Sequence, residues 1–242
     1  MKIFISHSSK NVEYGNALVN LLTGVGISGD QIIFTSNDAY GIPTGQNIFD
    51  WLKNLINEKP YVLYLLSPEY YKSVACLNEM GAAWVTENKH TMIFTPNFKL
   101  DSYEFRNGAL DPREIGFYIN NYDKLIAFID SLRSDYNVTT NQVLITQKIR
   151  EFIEIIKLKS EKEIPDIFNS IKQNEKLKMA IGILQSDIQK GSLELLEKLS
   201  PTDLSFFQSH NLIESKKEGT FNWTEKGERL NELMDTKTTW DD

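Results

Sequence analysis

Short apolar runs alternate with stretches of helical period from the N-terminus to about residue 134. Lys2 to Ser6, Gln31 to Ser36, Tyr61 to Leu66, Thr91 to Thr95 and Ile115 to Ile119 read as five strands. Four helical patterns lie between and after them. The first carries Tyr14, Leu18, Leu21 and Leu22, and the second Ile48, Leu52, Leu55 and Ile56. The third carries Val74, Leu77, Gly81, Trp84 and Val85, and the last Leu125, Phe128, Ile129 and Leu132. Continuous apolar strands alternating with helices indicate an α/β fold whose parallel sheet is covered on both faces. Five such strands suit the flavodoxin-like order, with a crevice at the switch point above strands one and three.

Pro68 ends the third strand, and a helix is expected from about Ser73. Its apolar positions predict a buried stripe that includes Trp84, with Glu79 off that stripe. The neighbours of Glu79 at helical spacing are Ala75, Cys76, Ala82 and Ala83. None is basic, so the usual ion pair along a helix is missing, and small side chains leave room beside the carboxylate. Cys76 reads as a packed thiol. The stretch Asn37 to Gln46, with two Gly, one Pro and an Asn-Asp pair, is a loop of the length often given to function.

Ser134 to Asn141 is a polar break, which places domains at 1–134 and 141–242. Beyond it the pattern is mainly helical, over 142–158, 165–179, 181–190 and 193–199. Ser200-Pro-Thr-Asp203 is a capped helix start, and a hairpin around Gly219 and a final helix with Leu230 and Leu233 follow. Helix, helix, hairpin, helix is a winged-helix-like order.

Composition narrows the classes. A chain of 242 residues with 41% hydrophobic content can build real cores, and no apolar run nears the length of a membrane span. The start, Met1-Lys-Ile-Phe-Ile-Ser, turns polar too soon for a signal peptide, and one cysteine rules out an internal disulfide framework. A reducing, cytoplasmic setting is the expectation. The net charge of −7 is spread over both halves, and the Leu204–Ser209 helix holds no Arg or Lys, which argues against DNA binding. The three histidines are far apart and predict no metal site. The glycine fingerprint of dinucleotide cofactor folds is absent.

Three blocks carry a resemblance to bacterial TIR (Toll/interleukin-1 receptor) domains. They are Phe4-Ile-Ser-His-Ser-Ser-Lys, then Ile33-Phe-Thr-Ser36 leading into Tyr40-Gly-Ile-Pro-Thr-Gly45, then Leu66-Ser-Pro-Glu-Tyr-Tyr through Trp84. The resemblance covers about residues 1–134. Many members cleave NAD+ at the nicotinamide–ribose bond, with a catalytic Glu on the helix after strand three, and Glu79 matches that position. NAD+ is then a substrate, with no cofactor. The loop from about Asn37 to Gln46 corresponds to one that gates the pocket and takes part in assembly. Two departures stand out: Asn11 where the family often has Asp, and Ala75 where several members have Trp. Stacking on nicotinamide would then fall to Tyr40, Phe34 or Trp51.

In that reading Ser6 and His7 contact ribose or phosphate, Ser36 and the backbone through Tyr40, Gly41 and Ile42 form the opposite wall, and Phe34 also binds substrate. The resemblance implies an NAD+ glycohydrolase or cyclase, switched on by self-association, in bacterial antiphage defence or signalling. The C-terminal half would receive a protein or small-molecule trigger. The alternative is a non-catalytic adaptor that recruits other TIR domains.

Overall fold

The computed structural model describes residues 1–41, 45–190, 199–216 and 220–236. They form two compact units, Met1–Lys157 and Leu158–Asp242. The first holds a five-stranded parallel sheet of β1 (Ile3–His7), β2 (Ile32–Ile33), β3 (Tyr61–Leu66), β4 (His90–Phe94) and β5 (Phe117–Tyr118). The strand order is β2-β1-β3-β4-β5, the flavodoxin-like order that the periodicity predicts.

Side chains alternate across the sheet with the period of two that a strand imposes. Ile3, Ile5, Tyr61, Leu63 and Leu65 enter one core, which also takes Leu18 and Leu22 of helix α1 (Val12–Gly24). Phe4, Val62, Tyr64 and Leu66 enter the other, with Leu55 and Ile56 of α2 (Ile48–Asn57). Each fully buried side chain of this kind contributes about 1.5–3 kcal/mol, so the central strands anchor the unit. The polar stretch 134–141 is no gap in this packing. Tyr136, Val138, Ile145 and Ile149 join the first core.

Strand two is shorter than its apolar run predicts. The Phe34 N–H donates to the Tyr40 carbonyl at 2.8 Å and the Asn37 N–H to the Phe34 carbonyl, so the chain turns there instead of continuing along β1. After β3, Ser67 caps a four-residue helix, α3 (Pro68–Tyr71), by accepting from the Tyr70 N–H, with Pro68 in the first turn. Ser73 then caps α4 (Val74–Val85), close to the predicted start.

The buried side of α4 differs from the expected one. Cys76, Met80 and Ala83 face the core, while Val74, Leu77, Trp84 and Val85 are exposed, Trp84 to 60%. Both stripes of this helix are apolar, so periodicity alone does not select one. The small Cys76 and Ala83 fit close to the sheet, which Trp84 would not. Trp84→Gln is expected to change unfolding free energy by less than about 0.5 kcal/mol in urea titrations, against about 3–5 kcal/mol lost on truncating a core tryptophan.

The rest of the first unit comprises α5 (Tyr103–Arg106), α6 (Tyr122–Ser131) and the first part of α7 (Gln142–Lys172). Helix α7 continues through Pro165, where the sequence pattern predicts two helices. Proline forfeits one helical hydrogen bond, and burial of Ile164, Ile167, Phe168 and Ile171 offsets that loss.

The second unit adds α8 (Glu175–Lys190), α9 (Pro201–Ser209), a two-stranded antiparallel sheet of β6 (Ile213–Ser215) and β7 (Phe221–Trp223), and α10 (Glu225–Thr236). The expected helix at 193–199 and the hairpin tip at Gly219 lie largely or wholly outside the described residues. Gly227 packs where a Cβ would sit 1.9 Å from the Leu212 carbonyl oxygen. Since that neighbour is backbone, Gly227→Ala is expected to cost at least about 1–3 kcal/mol, read as a lower melting temperature.

Candidate functional site

Glu79 meets the C-terminal half of β1 at Ser6. It projects from α4, and its Oε2 accepts a 2.8 Å hydrogen bond from the Ser6 hydroxyl of β1. Ser6 is buried, and its oxygen lies 2.7 Å from the Tyr70 hydroxyl, also buried. Tyr70 reaches on to the Cys76 carbonyl at 3.2 Å. Burial raises the proton affinity of Glu79, and the Ser6 hydrogen bond works against that rise. Among the described residues no cation pairs with it.

Glu79 lines a cavity of about 700 Å³ between α2 and α4. Ala75, Gly81 and Ala82 form a low wall on the α4 side, so the small neighbours noted in the sequence do leave space. Lys53 stands on the α2 side, and Thr35 also belongs to the lining. Among the described residues of this lining, Glu79 and Lys53 are the acid and the base, and none is aromatic. The volume lies within the range of small-molecule sites.

The residues singled out in the sequence fall into three groups. Ser6 joins Glu79 directly, but with 1% exposure it faces the carboxylate rather than the open cavity. His7, Phe34 and Ser36 form a second group. The His7 Nε2 lies 2.7 Å from the Ser36 hydroxyl, and its ring is 4.2 Å from that of Phe34. Its Nδ1 lies 3.1 Å from the Ile5 carbonyl, which can only accept, so Nδ1 carries the hydrogen and a neutral ring accepts from Ser36 at Nε2. Burial lowers the proton affinity of His7 and favours that neutral form. Phe34 is fully buried, so its ring packs in the core.

Tyr40, Gly41 and Trp51 line a separate depression of about 470 Å³ beside β2, whose lining does not include Glu79. Ile42 lies outside the described residues. Asn11 is buried and accepts from the Ser67 hydroxyl at 2.6 Å, tying the loop after β1 to the loop after β3. The Cys76 thiol donates to the His7 carbonyl at 3.3 Å, and burial holds it protonated. Tyr70 and Lys53 were missed in the sequence. Tyr70 sits in a short helix that Pro68 disguised as a break, and a lone lysine on an amphipathic helix carries no signal of its own.

Among the described residues no cluster of His, Cys, Asp and Glu is arranged to hold a metal. No described helix is long and apolar enough to cross a membrane. A family model described as a TIR domain matches residues 3–135, more than half of the chain. An uncharacterized protein of Bacillus subtilis (strain 168), YddK, is 40% identical over 138 residues, which is 57% of this chain and 50% of that protein. The chain thus spans about half the length of that curated relative.

Proposed function

This chain belongs to the TIR-domain family, and from that premise we propose that it is an NAD+ glycohydrolase or cyclase with Glu79 as its catalytic residue. The observation that carries this reading is the partly buried carboxylate of Glu79, in no ion pair among the described residues, on the wall of a cavity that can take a small molecule. Nicotinamide leaves as a neutral molecule, so the bond needs no strong acid. Positive charge grows on the ribose ring as it departs. A carboxylate beside the sugar stabilises that charge electrostatically, more strongly in a partly desolvated site than in water.

Lys53, across the same cavity, suits the pyrophosphate as a point charge. Water attacking the anomeric carbon gives ADP-ribose, nicotinamide and a proton. Attack by the adenine ring of the same molecule gives a cyclic product and nicotinamide. Among the described residues no aromatic lines the cavity, and in this reading the nicotinamide ring rests against Ala75, Ala82 and aliphatic side chains, or against a ring supplied by a second copy.

Activation by self-association accords with the exposed Val74, Leu77, Trp84 and Val85 on α4. That apolar stripe also favours the second reading, an adaptor that binds other TIR domains without chemistry. Purified protein, concentrated or with a crowding agent, is mixed with NAD+ and free nicotinamide is followed. Release supports the enzyme. Silence under every assembly condition, with self-association intact, leaves the adaptor. The family implies a cytoplasmic setting in bacterial antiphage defence or signalling, and growth arrest with NAD+ depletion on expression in bacteria is the corresponding cellular readout.

A further inference from the structure

We propose that Tyr70 is a positioning residue for Glu79, and that Tyr70 and Ser6 form a reversible hydrogen-bond chain that holds the carboxyl in place whether or not it carries a proton. The chain runs from the Cys76 carbonyl to the Tyr70 hydroxyl at 3.2 Å, to the Ser6 hydroxyl at 2.7 Å, to Glu79 Oε2 at 2.8 Å. Tyr70 is 0% exposed and Ser6 1%, so water does not complete either hydroxyl.

Counting hydrogens fixes the direction of each link. An ionised carboxylate only accepts. Ser6 then donates its single hydrogen to Glu79, and its oxygen takes the hydrogen of Tyr70. All three groups are satisfied, and each bond polarises the next. When Glu79 gains a proton, the order can reverse. Glu79 donates to Ser6, Ser6 to Tyr70, and Tyr70 turns its hydrogen to the Cys76 carbonyl. That carbonyl is what makes reversal possible, because a backbone oxygen has a second lone pair beside any helical bond. Without it, one buried hydroxyl hydrogen would be stranded in the neutral state, at a cost of about 1–3 kcal/mol.

The surroundings leave the chain as the main polar control on the carboxyl. Tyr64 faces it from β3, Tyr70 from α3 and Cys76 from its own helix, and burial keeps all three protonated. Lys53 stands across the cavity on α2. Among the described residues no other titratable or charged side chain lines that cavity, and desolvation and the Ser6 hydrogen bond are what act on the Glu79 charge.

The test reads the proton on Glu79 directly, by carbon-13 titration of its side-chain carboxyl in the full chain, with Glu79→Gln assigning the signal. Tyr70→Phe removes the donor behind Ser6 and keeps the ring. The midpoint is expected to move up relative to the parent, because the ionised form loses its polarised donor, while the neutral form, with no Tyr70 oxygen left to take the Ser6 hydrogen, falls back on accepting from Ser6 and loses less. Ser6→Ala is expected to move it up further. In the Ser6→Ala background, Tyr70→Phe is expected to add nothing, since its influence passes through the missing hydroxyl.

An unmoved midpoint in a folded Tyr70→Phe protein overturns the proposal. So do two shifts that simply add, which would mean that Tyr70 acts on Glu79 directly. Should Tyr70→Phe alone not fold, Ser6→Ala decides, and a midpoint unchanged there is equally fatal. The rate consequence, an acid limb displaced to higher pH for nicotinamide release, rests on the NAD+-cleaving reading. The titration does not, so an inactive protein with the expected shifts would reject the enzyme and keep the chain.

Discussion

Glu79→Gln is expected to lower nicotinamide release by about 100-fold or more and, at neutral pH, to raise the melting temperature. The first effect follows from the role of the charge. Removing one preorganised electrostatic stabiliser of a transition state costs about 10²–10³ in rate. Glutamine keeps the size of the side chain and can still accept from Ser6, so the loss isolates the negative charge.

The second effect follows from linkage. Burial gives Glu79 a higher pKa in the folded protein than in the unfolded chain. A group of that kind adds most to stability below its unfolded value, and the contribution is lost as pH rises through the folded value. Above that folded value the carboxylate is ionised in a site that resists the charge. Glutamine removes that cost, whereas near pH 4 parent and variant should melt at similar temperatures. His7 acts in the opposite direction. Its lowered pKa makes both proteins lose stability as pH falls below about 6.5. Thermal melts of both proteins at the two pH values, beside chromatographic assay of nicotinamide, separate these terms. Equal release by parent and variant would remove Glu79 from catalysis whatever the melts show.

Phe34→Ala is expected to destabilise the first unit by about 3–5 kcal/mol, enough to unfold much of the population of a marginally stable domain. Phe34 is fully buried. One side of its ring meets Gly15 so closely that a Cβ there would lie 2.3 Å from it. The ring also packs on His7, whose Nε2 meets Ser36. Phe34→Leu restores most of the volume and is expected to cost only roughly 1–2 kcal/mol, with nicotinamide release retained. A residue that stacks on substrate would behave otherwise. Its leucine variant would raise KM at nearly unchanged stability. Urea unfolding and the KM for NAD+ of the two variants therefore decide between a core ring and a ligand platform.

Several elements could be read without coordinates because their causes are local. The apolar runs at Tyr61–Leu66 and Thr91–Thr95 can be satisfied only by burial on both faces, and the sheet places them at its centre. Ser73 before an apolar helix is a cap by its own chemistry, and it caps. Glu79 stands out because no cation lies one turn away, and among the described residues none forms an ion pair with it in three dimensions either, Lys53 standing across the cavity.

Other features depended on which surfaces meet. Helix α4 carries two apolar stripes, and only fit against the sheet selected Cys76, Met80 and Ala83 over Val74, Leu77 and Trp84. The turn after Ile33 draws Tyr40 and Gly41 to a different depression from the one that holds Glu79. Ser6 and Glu79 lie 73 positions apart, and Tyr70 joins them from a third element. Spacing within a helix or strand is written along the chain and needs no partner to be legible. The bond between Ser6 and Glu79 exists because β1 pairs with β3 and α4 lies across their ends, and that is a property of the assembled sheet.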